Sequence, residues 1–279
     1  MIDLHVHTTY SDGQYSPEEV IKLAACAGIK TLAITDHDTV GAVQKGTVLA
    51  AECGMDFISG IELSVRGSID LHILGYDLDC TNAALIGECD RFTSERIKRL
   101  ERVLDYLHEY DIELTIKDVQ NAAERRAFIG RVHIAAAMQQ KGYVSDIREA
   151  FDKYIGTSEF DKVKRPKPCD NVGISLIRNA GGVPVLAHPG KLKLDSFKLE
   201  ELVRRLMDFG LMGMECFYST HTDAQTKEYL SLAKKYNLLV TCGSDFHGEK
   251  IKPDVKIGID ISSSFNSGKI VEQLRSAIR

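Results

Sequence analysis

Histidines and carboxylates recur at the ends of successive predicted strands along this chain of 279 residues. The first strand carries His5 and His7, and Asp245 and His247 repeat the same two-residue spacing near the end of the chain. Alternate side chains of a strand point to the same side of a sheet, so each pair faces in one direction. A fold that brings many strand ends to one face would gather these ligand-type side chains into a single site.

Strands and helices alternate over most of the chain, which indicates an α/β fold. Apolar strands are predicted at residues 2–7, 31–35, 56–62, 69–76, 183–187, 213–218, 238–242 and 255–259. Ser16-Pro17-Glu18-Glu19 is typical of a helix start, with Ser16 as the cap and Glu19 completing a capping box. A doubly wound sheet places its site at one switch point, whereas a barrel draws side chains from nearly every strand. We therefore expect a TIM-like barrel.

The alternation lapses between residues 81 and 165, where the pattern is helical. Apolar residues recur at three- and four-residue spacing from Leu85 to Leu107, and the opposite face is charged. We interpret that charged face, which includes Arg96 and Arg99, as solvated rather than as a binding surface. The chain is thus expected to contain a barrel, residues 1–80 and 166–279, and a helical insertion, residues 81–165, that covers the active site.

The composition argues against several classes of protein. A formal net charge of −5 gives no reason to expect tight binding to duplex DNA, which requires many cationic contacts to phosphates. The seven cysteines include no CxxC pair, so neither a disulfide framework nor a zinc ribbon is indicated. The chain opens on a predicted strand and has no apolar run of roughly 20 residues. We therefore expect a cytoplasmic protein without a signal peptide or a membrane span.

Ligand-type side chains also stand inside apolar strands. Glu62 lies between Ile61 and Leu63, and His72 lies in a similar apolar context. Burying such groups is costly unless they are paired or bind a metal ion. Taken alone, Asp12 would be an ordinary turn residue and Asp36-His37-Asp38 a helix-capping cluster. The argument for a metal site depends on the whole set.

Together these positions predict a metal centre. The nine candidate ligands are His5, His7, Asp12, His37, Glu62, His72, His188, Asp245 and His247. Imidazoles and carboxylates without thiolates suit Mn²⁺, Fe²⁺ or Zn²⁺ rather than a structural, cysteine-rich zinc site. The set exceeds what one ion can use, so we expect two or three divalent ions bridged by a carboxylate.

Six segments, taken in order, carry a resemblance to a known family. They are His5-Val6-His7-Thr8-Thr9-Tyr10-Ser11-Asp12-Gly13, Thr35–Thr39, Gly60–Glu62, Leu71–Tyr76, Pro184–Gly190 and Gly243–His247. In these segments the chain resembles the PHP (polymerase and histidinol phosphatase) family, and in particular the branch that includes nucleoside 3′,5′-bisphosphate phosphatases. The resemblance implies a distorted seven-stranded (β/α) barrel, a phosphoesterase activity and a trinuclear metal site.

The family pattern also implies how the ligands are shared among the ions. The first ion would be held by His5, His7, Glu62 and Asp245. The second would be held by Asp12, His37 and His247, and Glu62 would reach a third together with His72 and His188. The predicted catalytic residues are His188, Asp36 and His221, with His221 as a proton donor to the leaving oxygen.

Such a cluster predicts hydrolysis of a phosphate ester. Neighbouring ions lower the pKa of a shared water from about 15.7 toward 7 and hold the phosphoryl oxygens, so a bridging hydroxide can attack in line. The predicted substrate-binding residues are Arg131, His133, Lys164, Arg165 and His221. The alternative interpretations are an exposed helix start at Arg131, where Val132 replaces the family's usual proline, and a solvated basic linker at Lys164.

The resemblance implies a small phosphorylated substrate, with a nucleotide as the leading class. Removal of the 3′-phosphate of nucleoside 3′,5′-bisphosphates, or action on short RNA 5′ ends, is the leading prediction. The alternatives are a ribose cyclic phosphate, then histidinol phosphate, then a non-catalytic metal-binding module. Metal-dependent deamination or amide hydrolysis is a further alternative, and it would release ammonia instead of inorganic phosphate.

Overall fold

The computed structural model describes residues 1–123, 129–163, 167–259, 261 and 265–277. Within these residues, seven strands form one sheet whose strand order follows the sequence. The strands are β1 (Ile2–Val6), β2 (Thr31–Ile34), β3 (Asp56–Arg66), β4 (Asp70–Tyr76), β5 (Val183–Leu186), β6 (Gly213–Tyr218) and β7 (Leu239–Gly243). The α-helices are α1 (Pro17–Cys26), α2 (Val43–Glu52), α3 (Ala83–His108), α4 (Ile116–Ala122), α5 (Arg131–Gln140), α6 (Ile147–Ala150), α7 (Asp170–Asn179), α8 (Ser196–Asp208), α9 (Asp223–Lys235) and α10 (Ser267–Ser276).

The sheet curls into a nearly closed barrel. Neighbouring strands are parallel except at β4, which is antiparallel to both β3 and β5. Just beyond β7, the backbone N–H of Asp245 donates to the carbonyl of His5 at 2.7 Å, and the N–H of His7 donates to the carbonyl of Phe246 at 2.9 Å. These bonds join the first strand to the last. The predicted distorted TIM-like (β/α)7 barrel is confirmed, and the reversed strand β4 is one source of the distortion.

The reversal of β4 decides where its side chains lie. In the register of the β3–β4 pair, Ser64 stands opposite His72 and Glu62 stands opposite Leu74. The start of an antiparallel strand lies at the face where the parallel strands end, so His72, near the start of β4, reaches the face where the parallel strands place their ligands. The sequence predicted ligand-type residues at the carboxyl ends of strands, and His72 departs from that rule.

The capping box predicted at the start of α1 is confirmed. The Ser16 hydroxyl accepts the backbone N–H of Glu19 at 3.3 Å, and the Glu19 carboxylate accepts the backbone N–H of Ser16 at 2.8 Å. Pro17 occupies the first turn, where a missing N–H costs nothing. The cap therefore fixes the end of the loop that carries Asp12 from β1 to α1.

The prediction of an eighth strand at residues 255–259 is wrong. This segment makes turns, and of it only Ile259 bridges another strand, as the antiparallel partner of Ile2. Gly258 has φ +97°, a left-handed conformation that strands do not adopt, and its N–H donates to Asp3 at 2.7 Å. The apolar residues Val255 and Ile257 instead pack in a cluster that includes Val6, Ile29 and Leu32.

The described residues between β4 and β5 are mainly helical and have a core of their own. The second half of α3 packs with the later helices around residues such as Leu100, Leu107, Met138 and Phe160. The first half of α3 packs instead on the barrel core through Phe92 and its neighbours. The predicted boundary between residues 165 and 166 lies outside the described residues. Among the described residues, no helix has the length and apolarity needed to cross a bilayer.

Candidate metal centre

The barrel brings all nine predicted ligands to one face. Ligand atoms converge within 4.8 Å of one another in three overlapping groups. The first group is His5, His7, Glu62 and Asp245; the second is His7, Asp12, His37 and His247; the third is His37, Glu62 and His72. His188 joins through Glu62, whose Oε1 lies 2.9 Å from Nε2 of His188. We call these nine residues the ligand cluster.

Glu62 lies at the centre of the ligand cluster and is almost fully buried. Its Oε2 faces three imidazole nitrogens at 3.4, 3.2 and 2.9 Å, those of His5, His7 and His37. Its Oε1 faces two more at 2.8 and 2.9 Å, those of His72 and His188. Burial alone would raise the pKa of Glu62, but the surrounding imidazoles hold that pKa well below its ordinary value. A carboxylate with two oxygens facing separate sets of histidines is suited to bridge cations.

Several buried atoms of the ligand cluster lie close to one another, yet they make no hydrogen bond of good geometry within the described part of the chain. They are Nε2 of His5, Nε2 of His7, Oδ1 of Asp12 and Oε2 of Glu62. A buried polar atom without a partner costs about 1–3 kcal/mol. These atoms converge on shared space, and they combine imidazole lone pairs with carboxylate oxygens. The residues present therefore fit divalent cations.

His7 shows how strongly the ligand cluster attracts positive charge. Its ring is fully buried, which lowers the pKa, yet Asp245 and Glu62 outweigh that effect and raise the pKa of His7 to about 9. By contrast, burial lowers the pKa of His188 to about 3 and that of His247 to about 4. The cluster thus combines neutral imidazoles, whose nitrogen lone pairs can bind a metal ion, with carboxylates whose negative charge favours a cation.

The backbone is strained where the chain delivers three of the acidic and imidazole groups at this face. Asp38, His188 and Asp245 have φ values of 56°, 27° and 58°, which non-glycine residues rarely adopt. Such conformations cost of order 1–3 kcal/mol each and persist where the surrounding structure enforces them. His188 and Asp245 belong to the ligand cluster, whereas Asp38 accepts the backbone N–H of Ser64 and pairs with Arg96.

Glu215 supports the ligand cluster and was missed by the sequence analysis. It is fully buried in β6, its Oε1 lies 2.9 Å from Nδ1 of His5, and its Oε2 accepts the backbone N–H of His188 at 2.7 Å. When Nδ1 of His5 donates to Glu215, the lone pair of Nε2 points at the cluster. Carboxylates in this position orient metal-binding histidines and fix their tautomer. The signal that identified Glu62, a carboxylate inside an apolar strand, applies equally to Glu215.

Replacing Glu215 should weaken metal binding, although Glu215 itself is not a predicted metal ligand. Glu215→Ala is expected to lower metal affinity by about 10- to 100-fold, since loss of such a supporting carboxylate typically has that effect. Glu215→Gln, which keeps an acceptor for His5, should lose less. Metal titration by calorimetry measures both, with Glu201→Ala on the exposed face of α8 as the control. Equal affinity in all four proteins would refute the supporting role.

Asp36, one of the three predicted catalytic residues, has a different environment. Its Oδ1 accepts the backbone N–H of Thr8 at 2.7 Å and the hydroxyl of Ser11 at 2.5 Å, and its Oδ2 accepts the hydroxyl of Thr8 at 2.6 Å. Both oxygens are thus engaged in holding the loop that presents Asp12. These contacts position the loop of Asp12, and the catalytic role of Asp36 stays a prediction.

His221 and His133 do not contact the ligand cluster. Nδ1 of His221 donates to the carbonyl of Cys216 at 3.1 Å, and its Nε2 accepts the backbone N–H of Gly190 at 3.3 Å. Both ring nitrogens are therefore occupied, which disfavours the predicted role of His221 as a proton donor and substrate contact. His133 is buried and its Nδ1 accepts the N–H of Gly130 at 3.1 Å, so this nitrogen caps its own helix, and the contact of His133 with substrate stays a prediction.

Of the other predicted substrate contacts, Arg131 lines a cavity, while Lys164 and Arg165 lie outside the described residues. The cavity has a volume of about 250 Å³ and lies between the ligand cluster and the helices that follow β4. Asp12, His37 and His72 form its floor. Five cationic side chains line it: Arg66, Arg96, Arg99, Arg131 and Lys167. We call it the arginine cavity.

The charged face of α3 was predicted to be solvated, and that interpretation is wrong for Arg96 and Arg99. Arg96 pairs with Asp38 and is only 11% exposed in its side chain. Arg99 donates to the carbonyl of Val163 at 2.7 Å and packs over the ring of Phe160. Helical periodicity identifies the polar face of a helix but does not reveal whether water or a cavity lies opposite.

Comparisons with known proteins agree with this site. A model of the PHP domain matches residues 3–181. A 3′,5′-nucleoside bisphosphate phosphatase of Chromobacterium violaceum is 30% identical over 247 residues, which cover 88% of this chain and 87% of that protein. A 5′-3′ exoribonuclease of Haemophilus influenzae is 30% identical over 88% of this chain and 89% of its own. A phosphoribosyl 1,2-cyclic phosphate 1,2-diphosphodiesterase of Eggerthella lenta is 32% identical over 88% and 94%.

Solved structures share the whole fold. A protein of Chromobacterium violaceum described as an amidohydrolase, with bound sulfate and no metal, superposes with a TM-score of 0.88 at 28% identity, covering 99% of this chain and 96% of its own. A protein of Bifidobacterium adolescentis assigned as a metal-dependent phosphoesterase superposes with a TM-score of 0.84 at 28% identity, covering 98% and 95%. The similarity therefore includes the helices between β4 and β5 as well as the barrel.

Proposed function

Because this chain belongs to the PHP domain family and is a metal-dependent phosphoesterase, we propose that it removes a terminal phosphate from a small nucleotide carrying a second phosphate. The leading substrate is a nucleoside 3′,5′-bisphosphate, cleaved at its 3′-phosphate. The observation that supports this proposal is the arginine cavity, in which five cationic side chains line a space beside the ligand cluster.

The ligand cluster would hold two or three divalent ions, with Mn²⁺, Fe²⁺ or Zn²⁺ as the candidates suited to its donors. Bound there, such ions supply a water of lowered pKa and withdraw charge from the phosphoryl group. The chain's own contribution is to arrange the donors: Glu62 reaches two sets of histidines, and Glu215 orients His5. In this proposal Asp36 fixes the loop of Asp12.

The second phosphate would lie in the arginine cavity. Besides Asp12, which belongs to the ligand cluster, the acidic residues of its lining are Asp70 and Asp161, against five cationic side chains. Asp70 already pairs with Lys167 at 2.8 Å, and Asp38, which is outside the lining, pairs with Arg96. The remaining surplus of positive charge favours a multiply charged anion, and the planar guanidinium groups can each give two hydrogen bonds to a phosphate.

We further propose that residues 81–165 act as a helical domain that covers the active site. Arg96, Arg99 and Arg131 extend from α3 and α5 into the cavity wall, opposite His37 and His72 of the barrel. A substrate held between the two would be shielded from bulk water, which strengthens the electrostatic contacts. In this arrangement the barrel performs the chemistry and the helices select the substrate.

A second candidate is hydrolysis of a ribose cyclic phosphate that carries another phosphate. The relative from Eggerthella lenta, a phosphoribosyl 1,2-cyclic phosphate 1,2-diphosphodiesterase, is 32% identical to this chain. The same ligand cluster would serve, and the arginine cavity would bind the second phosphate. Short RNA with a 5′-phosphate is a third substrate class, in line with the relative from Haemophilus influenzae.

A phosphate-release screen tests the proposed function. Purified protein loaded with Mn²⁺ would be assayed with adenosine 3′,5′-bisphosphate, a ribose cyclic phosphate, short 5′-phosphorylated RNA and histidinol phosphate. We expect the bisphosphate to give the highest kcat/KM. A higher value for the cyclic phosphate or for RNA would favour those alternatives, and release of ammonia from an amide substrate without phosphate release would overturn the proposal.

Arg131 offers a direct test of recognition of the second phosphate. Arg131→Gln should raise KM for adenosine 3′,5′-bisphosphate by about 10- to 100-fold, since a charge-assisted hydrogen bond contributes roughly 1.5–3 kcal/mol. Hydrolysis of adenosine 3′-monophosphate, which lacks the second phosphate, should change little. Arg148→Gln, at an exposed position in the same helical segment, is the matched control. Parallel losses on both substrates would contradict a role in binding the second phosphate.

A further inference from the structure

Three hydrogen-bond donors converge on one oxygen of Asp245. The ammonium group of Lys191 lies 2.7 Å from Oδ2, that of Lys252 lies 2.6 Å away, and the hydroxyl of Tyr218 donates to the same oxygen at 2.7 Å. Lys191 also packs over the ring of Tyr218. We call Lys191 and Lys252 the lysine pair.

The other oxygen of Asp245 faces the ligand cluster. Oδ1 lies 3.5 Å from Nε2 of His5, 3.3 Å from Nε2 of His7 and 3.3 Å from Nδ1 of His247. Asp245 therefore divides two environments, with the lysine pair on one side and the imidazoles on the other. Neither lysine lines the arginine cavity as described by the structure.

The lysine pair carries more positive charge than Asp245 can balance. Two ammonium groups share one carboxylate, and that carboxylate also faces a cluster whose donors fit divalent cations. Each ammonium group has three donors. Asp245 Oδ2 takes one from each, and the carbonyl of Asp245 lies 3.2 Å from Lys252. Among the described residues no other acceptor is bonded to either ammonium group, so donors remain for a further acceptor, and two neighbouring positive charges favour an anion.

The lysine pair is also accessible from solvent. The side chain of Lys191 is 44% exposed and that of Lys252 is 27% exposed. Lys191 lies in the short turn Pro189–Leu192 that follows His188, and Lys252 lies in the loop that follows His247. Both ammonium groups are thus held beside the ligand cluster by segments that also carry its members.

We propose that Lys191 and Lys252 form a binding site for the terminal phosphate of the substrate, on the flank of the ligand cluster near Asp245, while Tyr218 holds Asp245 in place. This inference rests on the proposed function and deepens it, because the site selects the charge state of the group that is cleaved. A terminal phosphate monoester carries up to two negative charges near neutral pH, whereas a diester carries one. Two ammonium groups beside divalent ions favour the dianion, so the site selects monoesters over cyclic or internal diesters.

The test uses the metal-loaded, full-length protein and inorganic phosphate as the probe. Lys191→Gln and Lys252→Gln remove one charge each, and Lys252→Arg keeps the charge. Lys250→Gln, two residues from Lys252 and exposed, is the matched control. For each protein the metal content is measured by elemental analysis, phosphate affinity by calorimetry, and kcat/KM for a nucleoside monoester and for a diester.

Each glutamine variant should bind phosphate about 10-fold more weakly or worse, because a charge-assisted hydrogen bond is lost. Metal content should stay at the wild-type level, Lys252→Arg should retain most of the affinity, and monoester hydrolysis should fall more than diester hydrolysis. Wild-type phosphate affinity in both glutamine variants would overturn the inference. So would loss of metal in step with loss of affinity, because the lysines would then only support Asp245.

Failure of the proposed function would look different. If the wild-type protein released no phosphate from any bisphosphate, or if Arg131→Gln affected monophosphates and bisphosphates equally, the assignment of the arginine cavity would fail. Binding of inorganic phosphate to the lysine pair would still be measurable, because that probe needs no second phosphate. The two proposals are therefore tested by separate measurements.

Discussion

Glu62→Gln is expected to abolish phosphate release and to lower the metal content of the protein. The side-chain amide keeps the size of the carboxylate but removes its charge and one of its two acceptor oxygens. In the structure those two oxygens face separate sets of histidines, at 2.8 to 3.4 Å. An amide can present an acceptor to one set only, and its NH₂ group faces the other. Loss of several kcal/mol of charge stabilisation corresponds to a rate loss of about 10³-fold or more.

The measurements are phosphate release and elemental analysis of protein purified in the presence of Mn²⁺. Glu113→Gln, at an exposed position in the helical segment, makes the same chemical change far from the cluster and should behave as the wild type. Circular dichroism separates a loss of metal from a loss of fold. A Glu62→Gln protein with full metal content and wild-type turnover would show that this carboxylate does not bridge cations.

The ligand cluster was predictable because burial leaves a mark on the sequence. A carboxylate such as Glu62 or an imidazole such as His72 inside an apolar strand is costly unless it has a partner. Several such residues at the ends of different strands require a fold that brings those ends together. The barrel does so: eight of the predicted ligands converge at one face, and the ninth, His188, contacts Glu62 there.

Residues that support the site through other residues were harder to predict from the sequence. Glu215 has the same apolar context as Glu62, but it lies outside the six segments that carry the family resemblance, and its partners His5 and His188 are remote in sequence. His221 and His133 were predicted to contact substrate because their segments are typical of a site. In the structure each ring accepts a hydrogen bond from a backbone N–H. Local sequence shows that a polar group needs a partner but does not show whether that partner is a metal ion or a nearby backbone group.

Strand direction was also beyond the sequence. The alternating pattern of β4 is the same whichever way the strand runs, so its antiparallel pairing with β3 and β5 could not be anticipated. The sequence also did not show that Lys191 and Lys252 lie together. Lys191 and Lys252 are far apart in the chain, and neither stands in an apolar strand. They meet only because the turn after β5 and the loop after β7 both border Asp245.

Asp245→Asn should also abolish turnover and lower metal content, and it should lower the free energy of unfolding as well. Asp245 has its pKa held well below the ordinary value, because Lys252, Lys191 and the nearby histidines outweigh its burial. Asparagine leaves the two ammonium groups close together without their shared anion. Removing one partner of a fully buried ion pair costs about 3–5 kcal/mol. The lysines here reach solvent, so we expect roughly 1–3 kcal/mol for the metal-free protein.

Thermal unfolding with and without added Mn²⁺ separates the two effects. The wild-type Tm should rise with metal, because an ion that binds only the folded state stabilises it by about 2.7 kcal/mol at 100 times its Kd. Asp245→Asn should begin from a lower Tm and respond little to metal, whereas Asp254→Asn, at an exposed position, should follow the wild type. A variant that begins lower yet gains as much from metal would place Asp245 outside the metal ligands and leave it only as the anion for the lysine pair.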